Sequence, residues 1–503
     1  MYGERPTRRA AGGLRLFGAM LLMTALPAQA HAHTRLLRSA PSAGVVLDVA
    51  PREIRLTFSE APELGFTSVI LRAADGRPVT LTSPMFVPDA PTTLVCVIHG
   101  TITAGRYVVE WTAGGSDGHP VKGTIAFTVG AAAARPVTPS VATLPTSAGN
   151  SSQRIDTVGA HHDPALMPES AEDGAFGSES PLYAAVRWLQ YVGLLLVIGC
   201  AAFGTLVVGS VLRFHPADSA LARGARSRAA RLGRAGIVVV AISAVMRLFA
   251  QFYAMNGMGA PLSRTDIWSM MRETSWGTGW LVQIIAVSVT GVGFLIATRQ
   301  SFPIPSNSDA TVRPPALSWG WTIAALGAVA LAFTPGLASH AASAPRLSAL
   351  AMVADGLHVL GAGGWLGSLS VVVLAGIPAA WALPEDARGP AVADLINAFS
   401  PTALVFAGIV ATTGVFAAWL HVGSVDALWM TTYGRVLLVK LAVLSLVAGT
   451  GAYNWLRVKP GLGSVQAAQR VRRLASTEVL IGVIVVIITA VLVATPAGAD
   501  MQM

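Results

Sequence analysis

The chain has 503 residues, of which 53% are hydrophobic and only 12% are charged, and its net charge is +9. Soluble proteins carry roughly 25% charged residues, so this composition excludes a wholly soluble protein and indicates several spans of a lipid bilayer. Nucleic acid is not an expected partner, because much of the positive charge lies in short Arg-rich segments between apolar stretches, where it indicates membrane topology.

Only two cysteines occur, Cys96 and Cys200, and they fall in different segments of the chain, so we expect no disulfide between them. A cysteine-rich zinc or copper site is excluded by number. Any metal ion must therefore be bound by histidine, methionine, carboxylate or backbone groups.

Residues 1–30 have the pattern of a secretory signal peptide. Arg5, Arg8 and Arg9 form a basic region, an apolar core follows over residues 16–26, and Ala28-Gln29-Ala30 is a small-residue cleavage site. An uncleaved anchor helix is the alternative, but about 11 apolar residues are too few to span a bilayer. We therefore expect cleavage after Ala30, which leaves His31 as the first residue of the mature chain.

A free N-terminal histidine offers two nitrogen ligands, its α-amine and its imidazole. The amine, two backbone amides and the imidazole of His33 can alternatively surround a square-planar Cu(II) ion, a geometry that this ion favours. His31 is therefore a candidate metal ligand, and His33 is an alternative one.

Residues 31–130 show short strands separated by turns. Apolar and polar residues alternate over 54–58 and 124–129 and in part over 107–111, and Gly- and Pro-containing turns such as Asp117-Gly118-His119-Pro120 punctuate them. About 100 residues of this kind predict an all-β domain, an Ig-like or Greek-key sandwich.

One motif of this domain carries a family resemblance. Ser-Asp-Gly-His-Pro-Val-Lys-Gly at 116–123 follows Tyr-Val-Val-Glu-Trp at 107–111, with Leu-Thr-Phe-Ser-Glu at 56–60 and His-Ala-His at the mature start. Together they resemble the periplasmic copper protein CopC over residues 31–130. The resemblance implies a Cu(II) site made by the amine and imidazole of His31 with the side chains of Asp117 and His119.

The residue types suit that metal. Nitrogen ligands with one carboxylate form a set that fits tetragonal Cu(II), and Asp117 and His119, one residue apart in an extended loop, point the same way. Met85 is the only methionine of the domain. We therefore expect a single Cu(II) site and no methionine-rich Cu(I) site.

Residues 131–180 are rich in Ala, Pro, Ser, Thr and Gly and predict a disordered tether. Residues 181–498 predict an all-α polytopic bundle of about eight transmembrane helices. The apolar stretches lie near 182–212, 235–257, 276–298, 318–339, 348–376, 397–420, 434–456 and 474–495. With the β-domain outside, the outer loops hold only Arg264, Arg272, Arg346 and Arg435, as the positive-inside rule requires.

The bundle resembles CopD, the membrane partner of CopC, over about residues 180–495. The residues that carry this resemblance are Ser-His-Ala at 339–341, Asp-Gly-Leu-His at 355–358, Trp-Leu-Gly-Ser-Leu at 365–369, Phe-Ser-Pro at 399–401, Tyr-Gly-Arg at 433–435 and Lys440. The chain is thus expected to be a CopC–CopD fusion in the cell (inner) membrane, with its β-domain periplasmic or otherwise extracytoplasmic.

Ionisable groups inside a membrane are functional candidates, because a buried idle charge is costly. Asp355 and His358 lie at i and i+3 on one helix face, and Asp355 is expected at a depth where it can pair with Lys440. A structural polar network is the alternative. The candidates for a path carrying Cu(I) or Cu(II) are His340, Asp355, His358, His421 and, because methionine suits Cu(I), Met246.

These features favour copper binding by the β-domain outside the membrane and copper transport through the bundle, with import as the favoured direction. No ATPase glycine loop occurs, which argues against primary pumping. Two alternatives stay open: extracytoplasmic sequestration for copper resistance with the bundle as an anchor, and a copper or haem redox enzyme. Copper transport and copper sequestration would both make the chain a non-enzyme. Its expected partners are the copper ion, the lipid bilayer and other copper-homeostasis proteins.

Overall fold

The structure is a computed structural model that describes residues 34–115, 120–130, 180–214, 220–300, 318–338, 348–422, 424–458 and 462–495. The predicted signal peptide and tether, residues 1–30 and 131–179, lie outside the described residues.

The N-terminal domain is a sandwich of two β-sheets, as predicted. A four-stranded sheet has the order β1-β3-β7-β6 and a five-stranded sheet has the order β2-β9-β8-β4-β5. All neighbours are antiparallel except β2 and β9. The strands are β1 Leu36–Ala40, β2 Val46–Leu47, β3 Glu53–Phe58, β4 Ser68–Ala73, β5 Pro78–Val79, β6 Met85–Val87, β7 Ala90–Val97, β8 Gly105–Gly114 and β9 Pro120–Val129.

Alternating apolar side chains of facing strands fill the space between the sheets. Along β8, Tyr107, Val109 and Trp111 are buried, as every second residue of a strand with one covered face should be. The Trp111 ring meets the Phe58 ring of β3 edge to face, with 5.5 Å between centroids. These cross-sheet contacts fix which faces of β3 and β8 look inward.

The C-terminal domain is helical. Within the part of the chain that the structure describes, seven helices are long and apolar enough to cross a membrane, and a shorter apolar helix and an amphipathic one accompany them. In chain order they are α1 Pro181–Leu212, α2 Ala220–Asn256, α3 Arg264–Glu273, α4 Ser275–Gln300, α5 Trp319–Phe333, α6 Ala349–Trp381, α7 Glu385–Val422, α8 Thr432–Arg457 and α9 Val465–Ala494.

The span expected over 318–339 is shorter than predicted. Helix α5 has 15 residues, about 22 Å of helix, against a hydrocarbon thickness of about 30 Å. It ends at Phe333, and Pro335, two residues further on, has no backbone N–H with which to continue the helix. The expectation of about eight full spans thus becomes seven long helices and one short one among the described residues.

Two glycines let α1 and α6 approach closely. A Cβ at Gly199 would collide with the backbone of Gly367, and a Cβ at Gly367 would collide with the carbonyl oxygen of Leu195. Such small-residue contacts are how membrane helices pack without a hydrophobic driving force between them. In α6 the contact falls within a π-turn, Gly363–Gly367.

The two domains touch. The short 3-10 turn Leu64–Phe66, between β3 and β4, lies against the outer ends of α2, α3 and α4. We call it the docking turn.

Candidate functional site

The copper ligands predicted from the sequence, His31, His33, Asp117 and His119, lie outside the described residues. The residues next to them are described. Their positions show where the two segments that carry the predicted ligands leave the β-sandwich.

Both segments leave it beside the same loop. At the N-terminal side, the Thr34 hydroxyl donates to a carboxylate oxygen of Glu60 at 2.9 Å, and Ser59 N donates to the carbonyl of Arg35 at 2.8 Å. At the other side, Glu63 N donates to the carbonyl of Gly114 at 2.9 Å. Residue 34 and the end of β8 are therefore tied to residues 59–63.

The Asp117 and His119 segment is the connection of a β-hairpin. Gly114 is paired with Pro120 across β8 and β9, so residues 115–119 join two directly paired strand ends. A hairpin connection is short and anchored on both sides, which would suit the predicted presentation of Asp117 and His119 together.

Cys96 is not a further ligand of this domain. It is a free thiol buried in β7, and burial raises its pKa to about 11. Since the thiolate is the metal-binding form, this residue packs as a small apolar group at neutral pH.

In the membrane domain, five of the polar groups predicted or quoted from the sequence come together. Asp355 of α6 interacts electrostatically with Lys440 and Tyr433 of α8, and Lys440 in turn interacts with His358. The rings of Tyr433 and His421 lie 6.3 Å apart, centroid to centroid. We call Asp355, His358, His421, Tyr433 and Lys440 the outer polar cluster. His340, the remaining histidine candidate, lies outside the described residues.

The hydrogen bond of His358 determines which ring nitrogen is free. Nδ1 of His358 lies 2.9 Å from Oγ1 of Thr413, whose own proton goes to the carbonyl of Ile409 at 2.7 Å. A hydroxyl has one proton, so Thr413 must accept and Nδ1–H must donate. Nε2 is then the unprotonated nitrogen, which is the form that binds a metal ion.

The outer polar cluster is not a preformed metal centre. Within the described ranges, no three His, Cys, Asp or Glu side chains converge to hold a metal ion. The cluster offers one histidine with a free lone pair and one carboxylate on the same helix face. That set suits transient contact with a passing cation better than permanent coordination.

Met246 does not face the interior of the bundle. It is 40% exposed on the surface of α2, whereas its neighbour Arg247 is buried. The Arg247 guanidinium donates to the side-chain oxygens of Gln190 at 3.0 Å and Gln283 at 3.5 Å. The polar centre at this depth is therefore built from an arginine and amides, and Met246 lies outside it.

Thr413, Gln190 and Gln283 were not singled out by the sequence. A threonine or glutamine within an apolar stretch is an available signal, because a polar side chain in a membrane needs a partner. The partner itself, however, comes from a different helix.

Family comparisons agree with this architecture. The CopC domain family matches residues 36–130, the copper resistance protein D-like N-terminal domain matches residues 178–347, and the copper resistance protein D family matches residues 393–492. Copper resistance protein C of Pseudomonas syringae pv. tomato is 38% identical over 120 residues, which cover 23% of this chain and 91% of that protein. The chain belongs to the copper resistance family, with a CopC domain and a CopD domain in one polypeptide.

Two relatives extend the match into the membrane domain. The copper transport protein CutJ of Bacillus subtilis (strain 168) is 23% identical over 478 residues, covering 95% of this chain and 77% of that protein. Copper resistance protein D of Pseudomonas syringae pv. tomato is 27% identical over 291 residues, covering 56% of this chain and 84% of that protein. The predicted CopC–CopD fusion is thus confirmed, and with its seven candidate spans it is a multi-pass membrane protein.

Proposed function

We propose that the CopC domain binds one Cu(II) ion outside the membrane, through the amine and imidazole of His31 and the side chains of Asp117 and His119. The proposal includes removal of residues 1–30, because only cleavage after Ala30 creates the amine ligand. His33 is the alternative nitrogen donor. Nitrogen ligands with one carboxylate fit Cu(II).

The observation that carries this proposal is the shared anchoring of the two ligand-bearing segments. Thr34, three residues after His31, is bonded to Glu60, and Gly114, three residues before Asp117, is bonded to Glu63. Two segments far apart in sequence therefore start from one loop at one end of the sandwich, which favours a joint site.

The test is Cu(II) titration of the full-length protein, followed by electron paramagnetic resonance. His119→Ala and a variant with one residue inserted before His31 should lose the high-affinity signal. His99→Ala, an exposed histidine of the same domain, is the matched control and should keep it. High-affinity binding in the insertion variant would refute the amine ligand.

We further propose that the CopD domain moves copper inward across the cell membrane, with the outer polar cluster on its path. Three observations support this: the free Nε2 of His358, the Asp355 carboxylate on the same helix face, and similarity to a protein named as a copper transporter. Other copper-homeostasis proteins would supply or receive the ion.

The test is cellular copper content at low external copper, with and without the chain. Import predicts less copper without it, whereas resistance by sequestration predicts equal or higher content. In the His358→Ala variant, transport predicts lost uptake with a fully loaded CopC domain. Unchanged uptake would favour sequestration, with the bundle as an anchor.

A further inference from the structure

The contact between the two domains includes a close approach at Gly65. A Cβ built on Gly65 would lie 2.8 Å from the methyl carbon of Thr274, at the end of α3, and 3.6 Å from Cβ of Glu273. The docking turn can approach this closely only because residue 65 has no side chain.

The carboxylate of Glu63, the residue just before the docking turn, binds the first turn of a membrane helix. The two carboxylate oxygens of Glu63 accept hydrogen bonds from Ser275 N at 2.9 and 3.1 Å. Ser275 is the first residue of α4, where backbone N–H groups lack partners within the helix and the helix dipole favours an anion. Charge and geometry are therefore complementary across the contact.

Next to this bond, Phe66 enters an apolar socket. Its side chain is 4% exposed, and it belongs to a buried cluster with Phe252 and Met255 of α2, Met270 of α3 and Trp276 of α4. We call these four residues the socket. One side of the Phe66 ring packs on Gly114 of β8 in its own domain. An aromatic ring from one domain buried against three helices of another is a central anchor of the kind that dominates interface energies.

One residue of the socket, Trp276, also contacts the buried polar groups of the bundle. The Trp276 ring, which belongs to the same buried cluster as Phe66, lies 5.4 Å from the guanidinium of Arg247 in a cation–π arrangement. Arg247 in turn joins α2 to Gln190 of α1 and Gln283 of α4. The β-domain is thus seated on helices that a buried polar network holds together.

The loop that docks is also the loop that anchors both ligand-bearing segments. The N–H of Glu63 donates to the carbonyl of Gly114, while its side chain binds α4. Glu60, three residues before Glu63, accepts a hydrogen bond from the hydroxyl of Thr34. We propose that the docking turn and the socket form the interface that seats the CopC domain for copper transfer, and that seating is required for transfer but not for capture. This inference rests on the proposed function.

The docking step is tested by spin-label distances on the full chain without copper. Labels at Asp75→Cys, in the turn beyond β4, and Leu262→Cys, an exposed position before α3, should give one narrow distance distribution. Gly65→Leu, which fills the closest approach, and Phe66→Ala should broaden it. Ala43→Leu, at an exposed turn of the β-domain, is the control and should not. A broad distribution in the wild-type protein would overturn the interface.

The transfer step is tested with the same variants in cells. We expect Gly65→Leu and Phe66→Ala to bind Cu(II) with wild-type stoichiometry and spectrum, which also shows that the domain is folded, while copper uptake falls to that of His119→Ala. Wild-type uptake together with a broadened distribution would overturn the proposal. If His119→Ala itself keeps full uptake, the proposed function fails, and the spin-label result still reports on the interface separately.

Discussion

Nδ1 of His358 in α6 and Oγ1 of Thr413 in α7 lie 2.9 Å apart, and the ring of His358 lies over Gly414, where a Cβ would meet its Cε1 at 3.4 Å. Thr413 and Gly414, which are neighbours in α7, together fix the position of the His358 ring. Thr413 accepts its proton, and Gly414 leaves room for the ring.

Replacing Thr413 by valine should weaken copper uptake about fivefold, because the ring loses an orienting hydrogen bond of about 1 kcal/mol. Thr402→Val is the matched control. That hydroxyl lies on the same helix and donates to the carbonyl of Ala398 in its own helix, so uptake should stay unchanged. Equal copper uptake by the wild type, Thr413→Val and Thr402→Val would show that Thr413 does not contribute to transport.

Asp355 and Lys440 should behave as a coupled pair. Asp355→Asn or Lys440→Met alone leaves one charge without its partner in the bundle, which we expect to lower the free energy of unfolding by roughly 3 kcal/mol. The double variant should lose less than the sum. Thermal unfolding in detergent measures the stability of the wild type, the two single variants and the double variant. Strictly additive losses of stability would show that the two groups are independent.

Arg247→Met should destabilise the membrane domain although methionine is apolar. The substitution leaves the side-chain oxygen of Gln190 without its donor, at a cost of about 1–3 kcal/mol, and it removes the cation from the Trp276 ring. Met246→Leu, the adjacent exposed position, should be neutral. Thermal unfolding compares the stability of Arg247→Met with that of Met246→Leu. Equal losses of stability would contradict the assignment of Arg247 to the buried face of α2 and of Met246 to its exposed face.

Cys96 should be unreactive at neutral pH and should make the β-domain sensitive to alkali. Burial raises the thiol pKa from 9.0 to about 11. The unfolded chain therefore ionises first, and stability falls as the pH rises from about 9 to 11. Cys96→Ala should remove that part of the pH dependence. Alkylation by iodoacetamide at pH 8 should be slow until the domain unfolds, and rapid labelling of the folded protein would contradict the burial.

Much of the fold could be predicted from the sequence, because strands and membrane helices produce local patterns of apolar residues. Alternation at Tyr107, Val109 and Trp111 gives the covered face of β8, and long apolar runs give the membrane helices. Helix α3 was missed, although Ser263 caps it by accepting from Asp266 N, a common start signal. The short length of α5 was also missed, since hydropathy does not register where a helix stops.

The candidate site was only partly predictable. Asp355, His358 and Lys440 were recognisable as polar residues in apolar runs, but the choice between Met246 and Arg247 was not. A helix that is apolar on every side gives no period from which to assign its inner face. The docking role of Phe66 could not be read either, because an aromatic residue beside a strand is ordinary until a second domain covers it.

The docking contact also bears on why a fused chain is useful. Linking two domains makes their association intramolecular and raises the effective concentration of each for the other. A contact centred on one phenylalanine and one carboxylate can then be well populated while still separating readily. Cutting the chain between residues 131 and 179 should therefore release the β-domain on dilution, and separate partner proteins using the same contact would need either high abundance or a larger interface.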